Sequence, residues 1–529
     1  MSFIARAIRR VQRAERKAAD KPYARRMVRG VVTGALTVGL SRVTGLLTVP
    51  LLLHLLGLPL YGLWAVATVF VGSQGLYDMG IGTATVRYIA EAEARDDGAA
   101  ARRVILLTLL FYTLLSVGVV AVVLPILPQI PSALGLPVQL EAAGRGLLLG
   151  AVGLFAISNY TVVCSSVLSG LQRIEVNNLA SLAGQAVYLG LLILATAASW
   201  GTAGVLVAVA GLYLTQTVLM VGAILRHIPR GVGTMPKVKL RSLISYGWKI
   251  EAVVLADFVA LQAPKLFAGL WLGVAAAGRL DIAMRLPLAA SSVVLPLLPP
   301  LFPAASRFSL QGDAEALRTL TVRATRYLAA FTLPIFAGVF VLGPIILQKW
   351  LGQFGTHLEL SVRLLTVALL VHTLPGVAAT VAQARFVNLV VRYKLLLMLV
   401  TAILLPVGAS LDGIEGISGG ILIGFLAAFV YFQSKIGLVV GTAGRREMDV
   451  VLLKATGAAV AGAILGLFSY WLLVTAHVLL ATWLATAVAV TAYAALIIRA
   501  GVVNHNDLVD LLGQPLSSRI MGIVRSTRS

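Results

Sequence analysis

Long apolar runs separated by short polar breaks make up most of this chain. Fourteen windows are apolar over about 20 residues or more, enough to cross a bilayer core. They fall at roughly 28–53, 60–86, 104–127, 146–169, 177–198, 203–225, 244–270, 279–303, 324–348, 361–384, 391–411, 415–440, 450–474 and 477–499. The longest polar link inside the apolar body is RHIPRGVGTMPKVKLRS, between the sixth and seventh windows. The pattern predicts an all-α polytopic membrane protein of about 14 transmembrane helices. It divides into a first lobe over 28–226, a linker over 227–243, a second lobe over 244–441, two further helices over 450–499 and a tail over 500–529. Residues 1–27 precede the first window. There Ile4, Ile8 and Val11 share a helical face ringed by Arg6, Arg9, Arg10, Arg13 and Arg16, a pattern suited to an anionic membrane surface.

A plan repeats along this pattern. Gly57 and Gly62 recur 216 residues later as Gly273 and Gly278, Asp97 recurs as Asp313, and Arg102 recurs as Arg318. Self-similarity at one offset predicts two homologous lobes. Six helices per lobe is an even number. Both lobes therefore insert in the same sense, related by a pseudo-twofold along the membrane normal.

Composition agrees with the pattern: 59% of the 529 residues are hydrophobic and 12% are charged. A lone cysteine, Cys164, excludes an intrachain disulfide framework. The net charge of +22 would suggest nucleic acid in a soluble protein. Here 35 of the 43 Lys and Arg fall in, or within a few residues of, alternate segments between windows, starting from the N-terminus. That asymmetry predicts cytoplasmic N- and C-termini and makes the charge mostly a topology signal. The basic residues also lack the aromatic interleaving of a nucleic-acid groove.

Ionisable groups inside the windows are the candidates for chemistry, because each costs about 2.5–3.5 kcal/mol at the bilayer centre. Arg42 is the deepest. Gly34 and Gly45 lie near it on the helical wheel and leave room for a ligand or a neighbouring helix. A stripe of Thr37, Ser41, Thr44 and Thr48 lies elsewhere on the wheel and predicts helix packing. In the seventh window Glu251, Gln262 and Lys265 cluster within about 60° of one face, with Asp257 about 80° from Lys265. Pro264 predicts a kink there. Asp281 and Arg285 in the eighth window stand four residues apart, an ion-pair spacing. In the second window Asp78 follows Gln74 by one turn. Asn159, Gln185, Gln216, His372 and Gln383 are single polar groups that predict interhelical hydrogen bonds.

Phosphate-loop, zinc-protease and nucleophile-elbow motifs do not occur, so the sequence predicts a protein that is not an enzyme and holds no cofactor or metal. Four stretches carry a family resemblance. They are LLGLPLYGLWAVA with LYDMGIGTATVRYIAEA, GLQRIEVNNLASL, LWLGVAAAGRLDIAMRL, and LPPLFPAASRFSLQGDAEALRTL. Together they resemble the Wzx-type polysaccharide flippases, in the superfamily that also holds lipid II flippases and MATE antiporters. The resemblance implies two six-helix lobes around a V-shaped cavity. It also implies export of an undecaprenyl-pyrophosphate-linked oligosaccharide across the bacterial cytoplasmic membrane by alternating access.

By the same resemblance, the matching cationic positions for the anionic headgroup are Arg42, Lys265 and Arg285. Asp78, Asp257, Glu251 and Asp281 are then candidates for gating or for H+ or Na+ coupling. Pro264 stands where relatives often carry an acid, and Leu280 where an aromatic is common, so the coupling ion is open. Implied partners are the lipid-linked anionic oligosaccharide, membrane lipids and polysaccharide polymerase machinery, with no nucleic acid. Rival readings are a MATE-type cation or drug antiporter, a lipid II flippase, and a membrane-embedded glycan polymerase or ligase. The short loops outside the membrane argue against the last.

Overall fold

A computed structural model describes residues 21–71, 80–229, 231, 255–293, 298, 301–473 and 478–499. All regular structure among them is helical. In chain order the helices are α1 (Lys21–Val71), α2 (Ile81–Ala94), α3 (Gly98–Ile126), α4 (Glu141–Gly170), α5 (Ile174–Ala197), α6 (Gly201–His227), α7 (Leu255–Leu261), α8 (Ala263–Leu272), α9 (Val274–Ser292), α10 (Leu301–Leu310), α11 (Ala314–Leu351), α12 (Glu359–Thr373), α13 (Gly376–Arg385), α14 (Val387–Lys435), α15 (Gly437–Leu473) and α16 (Val478–Arg499). This is a multi-pass membrane protein. Large apolar side chains such as Leu106, Val122, Val218 and Leu453 face outward at more than half exposure, which suits a lipid surface and not water.

Each of the fourteen windows lies mainly on helix wherever it is described. Among the described residues, nine helices are long and apolar enough to cross a membrane, ten if α7 and α8 count as one bent span. This count is lower than fourteen partly because neighbouring windows fuse. At 1.5 Å per residue, the 51 residues of α1 would run about 77 Å, far beyond a core of about 30 Å. The helix is interrupted at Gly57, with φ 66° and ψ 168°. α14 holds two windows and is interrupted at Asp412 and Gly413.

Repeat-related positions adopt matching geometry. Gly273 has φ 87° and ψ 165°, close to Gly57, a region that side-chain-bearing residues avoid. Asp97 caps α3 by accepting from the Ala100 amide, and Asp313 caps α11 by accepting from the Ala316 amide, each at 2.9 Å. Such caps satisfy amides that a helix start leaves unbonded.

The two repeats meet through a close approach of α1 and α9. A Cβ at Gly62 would stand 1.8 Å from the Val274 carbonyl oxygen, and one at Gly278 would stand 3.1 Å from the Gly62 Cα. Beside them the Val274 amide donates to the Leu134 carbonyl at 3.0 Å. The Gly57/Gly273 end of the bundle is thus closed between the repeats, backbone against backbone. α15 and α16 pack on α11, where Ala329, Leu333, Val451, Ala455 and Tyr493 form a separate buried cluster.

Candidate functional site

Beneath this closed end sits a buried ionic cluster, built because α8 ends and α9 begins at the break at Gly273. Lys265 lies eight residues before Gly273 and Asp281 eight after it, so each stands about 12 Å along its helix. The two side chains meet at that level, with Lys265 Nζ 2.7 Å from Asp281 Oδ1. One turn further along α9, Arg285 donates to Asp281 Oδ2 through Nε at 3.0 Å and Nη2 at 2.6 Å. The hydroxyl of Tyr61 on α1 donates to the same oxygen at 2.6 Å. Arg285 Nη2 also donates to the Tyr61 hydroxyl oxygen at 3.4 Å.

Asp281 is therefore the hub. It is 2% exposed and Tyr61 is 0% exposed. A carboxylate removed from water needs its lone pairs filled, and here two cations and a phenol fill them with short, charge-assisted bonds. Arg285 differs from its partners in keeping 31% of its side chain exposed. Its guanidinium lies against α1, with Nη1 4.0 Å from where a Gly45 Cβ would stand. One turn away Arg42 is exposed. It lies within electrostatic reach of Arg285 and holds no hydrogen bond or ion pair among the described residues. One carboxylate against three cations leaves an excess of two positive charges, at depths from about 12 to 22 Å along the helices from the closed end.

The structure thus brings together Arg42, Lys265, Arg285 and Asp281 and sets Asp257 apart. Asp257 pairs with Lys394 Nζ of α14 at 2.5 Å and is 38% exposed at its side chain. The separation of about 80° between Asp257 and Lys265 assumes one continuous helix, and the helix does not continue between them. α7 and α8 are bent by 44°, with Pro264 in the first turn of α8. Proline has no amide to continue the α7 ladder, so the wheel count loses its phase there. The Asp281–Arg285 pair also departs from simple mutual neutralisation near a surface, since it is buried and takes in Lys265 and Tyr61. Glu251 and Asp78 lie outside the described residues, as do Gln74, residues 1–20 and residues 500–529.

The packing stripe on α1 meets α5. Asn178 Nδ2 donates to Thr33 Oγ1 at 3.0 Å, Gln185 Nε2 donates to Ser41 Oγ at 2.6 Å, and Gly34 faces Asn178. Asn159 donates to Ser116 at 2.9 Å.

A family model described as polysaccharide biosynthesis protein matches residues 51–354, more than half of the chain. The chain belongs to this family. No curated protein matches it by sequence. Among solved structures, a lipid II flippase, MurJ, in an inward closed conformation aligns with TM-score 0.68 at 13% identity, covering 88% of this chain and 98% of its own. An inward-facing multidrug resistance MATE transporter of the MOP superfamily aligns with TM-score 0.61 at 18% identity, covering 78% and 98%. A MOP superfamily transporter from Pyrococcus furiosus, described by a reversed polarity of its binding pocket, aligns with TM-score 0.56 at 16% identity, covering 82% and 97%. At these identities the likeness is one of fold.

Within this family member, sequence reasoning passed over two residues, Tyr61 of the ionic hub and Lys394 of the separate pair with Asp257. Tyr61 was present only as part of the LPLYGLW turn. Its signal is a phenol one turn inside a membrane helix of apolar neighbours, next to the glycine of closest approach, where a buried hydroxyl needs a partner. Lys394 reads as one of a basic group at the start of the eleventh window, with Arg385 and Arg392, yet its side chain within α14 is only 12% exposed.

Proposed function

We propose that this protein is a flippase that moves an undecaprenyl-pyrophosphate-linked oligosaccharide across the bacterial cytoplasmic membrane, with both termini in the cytoplasm. The observation that carries this reading is the surplus of positive charge at mid-membrane depth, with Arg42 and Arg285 on its exposed edge. A buried cationic surplus is costly unless an anion completes it. A prenyl pyrophosphate brings two negative charges and acceptor oxygens, which match guanidinium forks, while its tail stays in lipid. The family supports polysaccharide biosynthesis, and the solved neighbours, which include a lipid II flippase, support lipid or solute transport.

With the Gly57/Gly273 end facing outward, the described state receives cargo from the cytoplasmic side. Moving two negative charges outward across an inside-negative membrane releases up to about 4–5 kcal/mol per 100 mV. That release helps drive the cycle with or without H+ or Na+. A cation antiporter requires a carboxylate free to take a cation. The membrane carboxylates seen here, Asp281 and Asp257, are held by internal cations.

Flipping of a fluorescent prenyl-pyrophosphate oligosaccharide in proteoliposomes tests this reading. Wild type flips the probe and Arg42→Ala loses at least about tenfold in rate, equivalent to about 1.4 kcal/mol. Full activity in that variant would remove Arg42 from the site. No flipping by folded wild type across a panel of lipid-linked sugars would overturn the function.

A further inference from the structure

The cluster contains a feature that a simple anion site does not need. Its central ligand is already an anion, and that anion belongs to the protein. Asp281 engages both cations of the second repeat and, through Tyr61, the first repeat. The Tyr61–Asp281 bond is thus a side-chain hydrogen bond between repeats, a few residues from the backbone contact of Gly62 with Val274 and Gly278.

We propose that Asp281 is a resident counter-anion that the cargo headgroup displaces, so that headgroup binding breaks the Tyr61–Asp281 latch and frees the closed end. This rests on the flippase reading. The physical argument has three steps. Lys265 and Arg285 have limited donors, and a headgroup that engages them competes with the Asp281 oxygens for the same directions. The approach lies on the Arg285 side: Arg285 is part-exposed and Arg42, which holds no bond among the described residues, stands beside it, whereas Lys265, Asp281 and Tyr61 are buried. Once Asp281 gives up its cations, a bare carboxylate cannot stay in that dry position. It must move or take a proton, and the fully buried Tyr61 hydroxyl then loses its acceptor. The closed arrangement is favoured only while Asp281 sits among its partners. An anion that binds the unlatched state better therefore shifts the population toward opening.

The proposal assigns signs that a scaffold role for Asp281 does not. If Asp281 merely held Lys265 and Arg285 in place, Asp281→Asn would weaken anion binding. If Asp281 competes with the headgroup, Asp281→Asn tightens it. The coupling is reciprocal. Tyr61→Phe, which removes only the latch hydroxyl, must tighten anion binding too, by no more than the factor by which the anion favours the open end.

The experiment uses the full chain in nanodiscs, with inorganic pyrophosphate as the probe. Spin labels at Val138→Cys and Leu411→Cys, in a Cys164→Ser background, report the separation of the closed end; both positions are exposed. The expected results are a longer-distance population in wild type on adding pyrophosphate, the same population in Tyr61→Phe without it, and pyrophosphate binding about fivefold or more tighter in Asp281→Asn and Tyr61→Phe. Weaker binding in Asp281→Asn, or wild-type distances in unliganded Tyr61→Phe, would overturn the latch. If Asp281→Asn does not fold, Tyr61→Phe decides alone. A wild type that flips the lipid-linked probe but fails these signs loses the latch and keeps the function. A wild type that neither flips the probe nor binds pyrophosphate loses both.

Discussion

The two repeats share a frame and differ in chemistry. Gly57 and Gly273 break their helices with nearly the same dihedrals, and Asp97 and Asp313 make the same cap. At the same offset, the counterparts of Lys265, Asp281 and Arg285 are Val49, Ala65 and Val69, all buried apolar residues. The counterpart of Tyr61 is Ala277, and that of Arg42 is Phe258. One repeat carries the ionic hub. The other supplies an apolar wall, one phenol and one exposed guanidinium. Duplication alone would build a symmetric site, whereas the proposed lipid-linked headgroup has no twofold symmetry. Concentrating the charge on α8 and α9 sets both cations around one carboxylate, and the facing repeat then needs only short-range contacts to sense that carboxylate.

The largest expected effect comes from the closest backbone contact. Gly62→Ala places a Cβ 1.8 Å from the Val274 carbonyl oxygen, which no rotamer relieves, whereas Gly278→Ala meets the Gly62 Cα at 3.1 Å and needs a shift of a few tenths of an ångström. The frame-level equivalence of these glycines therefore breaks at the contact. Gly62→Ala should prevent closure of this end, seen as a permanently long 138–411 distance, and lower stability by more than about 3 kcal/mol, beyond the usual 1–3 kcal/mol for overpacking. Gly278→Ala should cost about 1 kcal/mol or less and keep the closed population. Equal effects would mean that the two repeats approach each other more loosely than they do here.

Lys265→Met comes next. It leaves Asp281 with one cation in place of two. Removing one partner of a buried ion pair costs about 3–5 kcal/mol, and the part that Arg285 continues to offset brings the expected loss toward or below the lower end. Flipping should fall in step with pyrophosphate affinity. A Lys265→Met protein with wild-type stability and transport would show that Arg285 alone sustains the hub.

The fold was legible because its signals are long-range and simple. Apolar windows marked helices, and the glycine and aspartate repeats marked two homologous halves, in which the structure shows matching breaks and caps. The site was only half legible. Asp281 with Arg285 follows from a four-residue spacing on an unbroken helix. Lys265 with Asp281 crosses the Gly273 break, and Tyr61 with Asp281 crosses between repeats, so no spacing rule reaches either pair. The helical wheel that set Asp257 about 80° from Lys265 loses its phase at Pro264, and the partner Lys394 of Asp257 is 137 residues away in sequence. Local periodicity reads faces of single helices; it does not read which faces meet.

The smallest effects test the frame where both halves do look alike. Asp97→Ala and Asp313→Ala each remove a capping bond to the amide three residues on, worth about 0.5–2 kcal/mol. The bonds have the same length, but the settings differ: Asp97 is 3% exposed and Asp313 is exposed. Beside Asp97, the Gly98 amide donates to the Gly231 carbonyl at 3.0 Å, so that turn is also tied to the start of the interlobe linker. The structure therefore orders the pair, with Asp97→Ala toward the upper end of the range and Asp313→Ala toward the lower. Reversible unfolding in mixed micelles measures both, and Asp→Asn at each position should recover most of the loss because asparagine caps nearly as well. An Asp313 variant that is the more damaging of the two would show that the charge on Asp313 serves something other than its cap.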